Sequence, residues 1–265
     1  GAQFADALAE AQRLGYAEAD PTADVEGHDA AAKAAILATL SFHTRFALEN
    51  VHCEGITNVS AADIAAAKDA GFVIKLLAIA EKLTDADGGE GISVRVHPTL
   101  LPREHPLAAV RGAFNAVFIE AENAGELMFY GQGAGGTPTA SAVLGDLVSA
   151  ARRLVLGGPQ RTETTTGHVP ALPIEAATTS YYIGLDVADQ PGVLARIAQL
   201  FAEHGVSIEI MRQTIHKDAE SNVESAELRI VTHRASEAAL AATVEAVKGL
   251  DVINSVTSVL RVEGV

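Results

Sequence analysis

GYAEADPTADVEGHDAAAK, residues 15–33, is the stretch from which the chain is best read. Glu18, Asp20, Asp24, Glu26 and Asp29 crowd into residues 18–29, and one cation, Lys33, follows. Residues 21–27, bounded by Pro21 and Gly27, read as a loop with acidic edges. Asp29 then opens an alanine-rich helix expected over 29–49. Asp29 and Lys33 are one helical turn apart and so share a face. At about 100° per residue that face also holds Ile36 and Leu40. The stripe predicts that the carboxylate and the amine point inward. An inward pair is costly unless satisfied, and a lysine so placed is suited to proton transfer. By spacing alone, a satisfied buried ion pair and a proton-transfer site fit equally well.

Outward from this segment the pattern alternates helices and strands. Phe4, Leu8, Ala11 and Leu14 repeat at helical spacing over 3–14. A second helix is expected over 60–70, with Ser60 as N-cap, Asp63 in its first turn and Gly71 as its stop. Strands are expected over 73–81, 91–97, 115–121 and 126–130. The run 91–97 alternates Ile92, Val94 and Val96 with polar neighbours, which predicts a half-buried strand. Pro98, Pro102 and Pro106 predict a turn-rich connection after it. This order fits an α+β fold with helices packed on a mostly antiparallel sheet.

Gly131, Gly133 and Gly136 satisfy G-x-G-x-x-G, after a strand and before a helix expected over 137–156. A dinucleotide fingerprint also needs a following strand ended by an acidic residue. Here a linker-like composition follows instead, over 157–177, so a complete Rossmann unit is rejected. The glycines serve either a tight strand–helix turn or the close approach of backbone N–H groups to a ligand. Residues 178–265 read as a separate module. Strands at 180–187, 206–216, 223–232 and 253–262 and helices at 193–204 and 237–249, the last capped by Ser236, give the order βαββαβ of a ferredoxin-like fold.

The chain has 265 residues, 48% of them hydrophobic, and a net charge of −15. The charge argues against nucleic acid or an anionic membrane as partner. Cys53 is the single cysteine, so no disulfide framework or cysteine-based zinc site is available. None of the nine histidines belongs to a close ligand pair, and no metal site is expected. Neither G-x-S-x-G nor a P-loop is present. No charged start leads into an apolar h-region, and the longest apolar run, broken by Lys75, is too short to span a bilayer. The expectation is a soluble cytoplasmic protein.

Residues 15–33 fill every fixed position of GY-x-E-x-DP-x-x-D-x-x-G-x-D-x-x-x-K, and so resemble the substrate-site signature of the homoserine dehydrogenases. The resemblance continues through EGI at 54–56, HPTLLP at 97–102 and GQGAGGTPTASAV at 131–143, covering most of 1–156. It implies a substrate-binding and catalytic domain over 1–156, whose last helix returns to a nucleotide-binding half upstream of this chain. The implied reaction interconverts L-aspartate 4-semialdehyde and L-homoserine with NAD(P), in the biosynthesis of threonine, methionine and isoleucine. Lys33 is the implied proton donor, Glu18 and Asp29 the implied partners of the substrate ammonium, and Asp24 their support. Gly15 and Gly133 are the implied cofactor contacts. The family's sodium ion is expected in the upstream half, and this chain alone is expected to be inactive.

ADQPGVLARIAQLFAEHGVSI, beginning at Ala188, resembles the opening of an ACT domain, which implies an effector site at Asp189, Gly192, Val193 and Leu194. Gly192 would let a ligand carboxylate reach the free N–H groups of a helix start. Threonine is the implied effector, and a homo-oligomer, dimer or tetramer, is expected. Two other readings stay open: an amino-acid-sensing and dimerising fragment without catalysis, and a different NAD(P)-dependent dehydrogenase sharing this substrate domain.

Overall fold

The structure is a computed structural model and describes residues 4–84, 88–157, 165–217 and 224–264. The expected helix start at 3, residues 158–164 of the expected linker, the strand start at 223, and residue 265 lie outside the described residues.

Helix α1 (Phe4–Arg13) leads into the signature segment, whose expected loop contains one helical turn, α2 (Thr22–Val25). Helix α3 (His28–Phe42) starts from Gly27 at φ 81°. It stops seven residues earlier than its composition suggests. His43 takes φ 52°, a left-handed conformation that ends the helix. Thr44 then bridges Gly167, and a 3₁₀ turn, Leu48–Asn50, leads to strand β1 (His52–Cys53). Helix α4 (Ala61–Asp69) begins with a reciprocal capping box: the Asp63 N–H donates to Ser60 Oγ at 3.1 Å, and the Ser60 N–H to Asp63 Oδ2 at 2.8 Å.

Strands β2 (Phe72–Thr84) and β3 (Glu90–Pro102) pair antiparallel along their whole lengths. The expected turn at Pro98 is therefore strand. A proline lacks the N–H that a central strand needs on both sides. Here Pro98 pairs with Leu76 on one side and, on the other, falls between the parallel contacts of β3 at Arg95–Val96 and Thr99–Leu100. The expected half-burial of β3 also fails. Ile92, Val94 and Val96 pack against Ala31, Ala34, Ala35 and Ala38 of α3, yet Ser93, Arg95, His97 and Thr99 between and beyond them are buried as well.

A 3₁₀ turn, Pro106–Ala109, precedes the hairpin of β4 (Phe114–Ala121) and β5 (Gly125–Gln132), which forms its own two-stranded sheet. Helix α5 (Gly136–Leu156) follows, with none of its residues buried. Strand β6 (Ala171–Leu172) pairs with β3, so the segment composed like a linker joins the first sheet at its far end.

The C-terminal module runs β7 (Thr178–Ala188), α6 (Val193–Glu203), β8 (Ile208–Lys217), β9 (Glu224–Thr232), a short β10 (Ala235–Ser236), α7 (Glu237–Lys248) and β11 (Ile253–Val262). Its strands order as β11-β7-β9-β8, all antiparallel, as the ferredoxin-like motif requires. The core sets Ile183, Leu185, Leu228 and Ile230 of the sheet against Ile197 and Phe201 of α6 and Leu240, Val244 and Val247 of α7. The two sheets are continuous, because β11 pairs in parallel with β3 at Arg261↔Thr99 and Val262↔Leu100. Nine strands among the described residues thus form one sheet.

Candidate functional site

The signature segment is held from beneath by residues 53–57. The Ile56 N–H donates to the Val25 carbonyl at 2.9 Å, the Cys53 thiol to the Glu26 carbonyl at 3.3 Å, and the Thr57 hydroxyl to Glu26 Oε1 at 2.5 Å. Gly55 is obligatory, since a Cβ there would stand 2.5 Å from the Val25 carbonyl oxygen. Above, Gln12 Nε2 donates to the Glu18 carbonyl at 2.8 Å. Asp20 Oδ1 accepts from the Thr22 hydroxyl and N–H, which lower its pKa and fix the start of α2.

Asp29 and Lys33 form an ion pair on α3, and with Ile36 and Leu40 they do share a face. That face is turned outward, which corrects the inward reading. Ile36 and Leu40 are each 60% exposed, and the Lys33 and Asp29 side chains 57% and 48%. Alanines take the sheet-facing side because their small size lets the helix lie close on β3, a choice the larger residues mask in a hydropathy pattern. Glu18 and Asp24 are exposed on the same segment, and among the described residues neither makes a side-chain bond to Asp29 or Lys33.

Gly15, at φ 73°, lines a shallow cleft with Gly135, Gly136, Thr139, Ala140, Val143 and Leu144 at the start of α5. The end of the signature's entry turn and the second half of the glycine stretch therefore meet. Gly133 lies outside that lining and packs on the Asn115 side chain, which a Cβ would strike at 1.9 Å. Among the described residues no group of three or more His, Cys, Asp or Glu could hold a metal ion, and no helix is long and apolar enough to cross a membrane.

A second cavity opens at the C-terminal end of β7. Asp189, Gly192, Val193 and Leu194 all line it, with Pro191 and, from β8, Gln213. Gly192, at φ 91°, begins α6 without a side-chain cap; the Val193 N–H reaches the Gln190 carbonyl at 3.4 Å, which leaves the following N–H groups of the first turn for an anion. Gln213 Nε2 reaches Asp189 Oδ1 at 3.4 Å. The sequence carries no local signal for Gln213, because it comes from a strand distant in the chain.

Sequence reasoning also missed a set of charged side chains where β3 meets β11. Arg261 on β11 donates to both oxygens of Glu54, each at 2.9 Å, and to Glu237 Oε1 at 2.5 and 3.0 Å. The Tyr181 hydroxyl donates to the same Glu237 oxygen at 2.6 Å. His52 Nε2 donates to Glu54 Oε1 at 2.6 Å. Burial alone would raise the Glu54 pKa. The hydrogen bonds from His52 and Arg261, and their charges, outweigh it and hold the pKa at about 2. Beside this cluster Arg95 pairs with Glu81 and Glu263, each at 3.1 Å. Buried His97 accepts from or donates to Thr99 at 2.9 Å, and its burial and the Arg261 charge lower its pKa to about 3.

The structure joins an α+β unit, with one cleft, to a ferredoxin-like module of the order βαββαβ, with the other. The homoserine dehydrogenase family model matches residues 1–148, and the ACT domain model residues 181–252. The homoserine dehydrogenase of Corynebacterium glutamicum is 57% identical over 263 residues, covering 99% of this chain and 58% of that protein. That of Mycobacterium tuberculosis is 54% identical, covering 100% of this chain and 60% of that protein. A crystal structure of a homoserine dehydrogenase from Thiobacillus denitrificans superposes with a TM-score of 0.87 at 38% identity, covering 99% of this chain and 59% of that one. The chain belongs to the homoserine dehydrogenase family and carries an ACT domain at its C-terminal end. It spans about 60% of the length of these relatives.

Proposed function

We propose that this chain is the substrate-handling and regulatory portion of an enzyme that interconverts L-aspartate 4-semialdehyde and L-homoserine. The observation that carries the reading is the Asp29–Lys33 pair, accessible on α3 and belonging to the same segment as Gly15, which lines the α5 cleft. In the reducing direction Lys33 Nζ gives its proton to the carbonyl oxygen as charge develops there, and in the reverse direction takes it from the hydroxyl. Asp29 and Glu18 bind the substrate ammonium, and Asp24 supports them. NAD(P), when bound, supplies or accepts the hydride at the adjacent carbon. Gly15 and Gly133 are the cofactor contacts from this chain. The fit is partial: Gly15, Gly135 and Gly136 offer an open cleft at a helix start, but among the described residues the next strand after α5, β6, is two residues long and pairs with β3 rather than with β5, so no dinucleotide fold is completed.

The exposed face of α5, with Val143, Leu144 and Leu147, and the exposed Ile36 and Leu40 of α3 suit a further domain packed over the cleft. In that arrangement the nucleotide-binding half, with any sodium ion, completes the site, and the chain alone is inactive. Leu127, Phe129 and Tyr130, exposed on the β4–β5 hairpin, suit a homo-oligomer. Threonine is the proposed effector, bound through its carboxylate at the start of α6 near Asp189, Gly192, Val193 and Leu194. The test is homoserine-dependent reduction of NAD⁺ or NADP⁺. Turnover is expected when the chain is completed to the length of its relatives. Absence of turnover there, or clear turnover by this chain alone, would overturn the corresponding part of the proposal.

A further inference from the structure

The signature segment stands on residues 53–57, and Glu54 in turn is gripped by Arg261 on the last strand of the ACT domain. The Glu54 carboxylate takes both ends of the guanidinium fork. The same arginine holds buried Glu237 at the start of α7, and its guanidinium lies 5.9 Å from the centre of the Tyr181 ring. On the other side of Glu54, Gly55 abuts Val25 and Glu26, and Ile56 is bonded to Val25. An unbroken set of contacts thus runs from α7, β7 and β11 to the turn that opens α3. A planar, two-bond fork fixes direction as well as distance, which a lysine at the same place could not do.

We propose that Arg261 is a positioning residue for the substrate segment: through Glu54 it sets the main chain at 54–57, and thereby the turn carrying Asp24 and the start of the helix carrying Asp29 and Lys33. This rests on the functional reading of residues 15–33 given above. The proposal also supplies a route between the two cavities. Strand β7 carries Tyr181 near its start and, at its end, Val187 and Ala188, which line the cavity that holds Asp189. A shift of β7 when that cavity fills would be felt at Arg261 and passed to Glu54.

The test compares wild type with Arg261→Lys, which keeps the charge and loses the fork, and with Arg261→Met. Amide exchange is measured on this chain, and kinetics on the enzyme completed to the length of its relatives. In both variants the Ile56 amide should exchange at least tenfold faster, while amides of 226–231 in the ACT core keep wild-type protection. KM for homoserine should rise about tenfold or more, with KM for the nicotinamide cofactor within twofold. If either variant retains the protection of 226–231 yet leaves Ile56 exchange or the homoserine KM unchanged, Arg261 is a structural ion pair and the proposal is wrong. Should Arg261→Met not fold, Arg261→Lys and Glu54→Gln decide by the same readouts. A completed wild-type enzyme that does not turn over homoserine would overturn the proposed function instead, and Ile56 exchange alone would then decide whether Arg261 holds the turn.

Discussion

The Asp29–Lys33 pair and the Arg261–Glu54–Glu237 cluster are both ion pairs, and they differ in nearly every other respect. The first joins residues one turn apart on a single helix and is about half exposed. The second joins Arg261 to Glu54, 207 positions away and 41% exposed, and to Glu237, 24 positions away, with Arg261 and Glu237 13% and 5% exposed. An exposed pair at this spacing contributes only about 0.3–0.5 kcal/mol to stability. A buried, multiply bonded pair is costly to break from one side, by about 3–5 kcal/mol, because the remaining charge is left without a partner. The first can therefore be removed with little loss of stability, so its removal reads chemistry. The second cannot, so its removal reads the fold and whatever the fold positions.

The largest effect expected from this contrast is that of Lys33→Ala in the completed enzyme. Turnover should fall about 10²–10⁴-fold, as for the loss of a proton-transfer group, while the unfolding midpoint scarcely moves. A loss below roughly tenfold would assign the proton to another residue. Arg261→Met should show the opposite signature on this chain, a loss of about 3–5 kcal/mol in denaturant unfolding. If it costs no more than Lys33→Ala does, the contrast between the two pairs collapses.

Gly192→Val probes the other cavity. Its φ of 91° strains any β-branched residue, so the start of α6 should shift and threonine inhibition should be lost. A coupling of about 1–3 kcal/mol is expected to disappear while uninhibited turnover is kept. Calorimetry showing threonine bound with unchanged affinity would place the effector site elsewhere.

The smallest and most graded expectation is in pH. Glu54 is lowered from 4.5 to about 2 in the fold, so its contribution is complete above about 4.5 and fades as the pH falls toward 2. His97 is lowered from 6.5 to about 3; the unfolded chain takes its proton first, so stability also falls as the pH drops from about 6.5 toward 3. Denaturant midpoints measured from pH 7 to pH 3 should therefore decline, and His97→Gln should flatten the part between pH 6.5 and 5. An unchanged slope in that variant would mean the imidazole is not held neutral by the fold.

Much of this architecture was legible in the chain because its determinants are local. Ser60 with Asp63, and Ser236 before Glu237, mark helix starts through bonds within a single turn. The alternation of Ile92, Val94 and Val96 and the βαββαβ order of the C-terminal module follow from the periods of strand and helix, about 2 and 3.6 residues. The spacing of Asp29 and Lys33 likewise places them on one face of the helix. What that spacing could not say is which way the face looks. That depends on whether alanines or larger residues meet β3, and packing against a sheet is settled by a partner far along the chain.

The same reason explains the other differences. Pro98 is strand because β1 and β11 leave the gap its missing N–H requires, and those strands lie on either side of it in sequence, 45 and more residues away. The polar side chains of β3 meet partners from distant segments, as Arg95 meets Glu81 and Glu263. Glu54 was visible as part of a motif, yet nothing near it announced Arg261. Residue types and short spacings determined the elements, the family signature and the chemical groups on offer. Only the tertiary structure decided which of those groups are open to a ligand and which are locked into the seam, because exposure and long-range ion pairing belong to the packing of distant segments and have no local code.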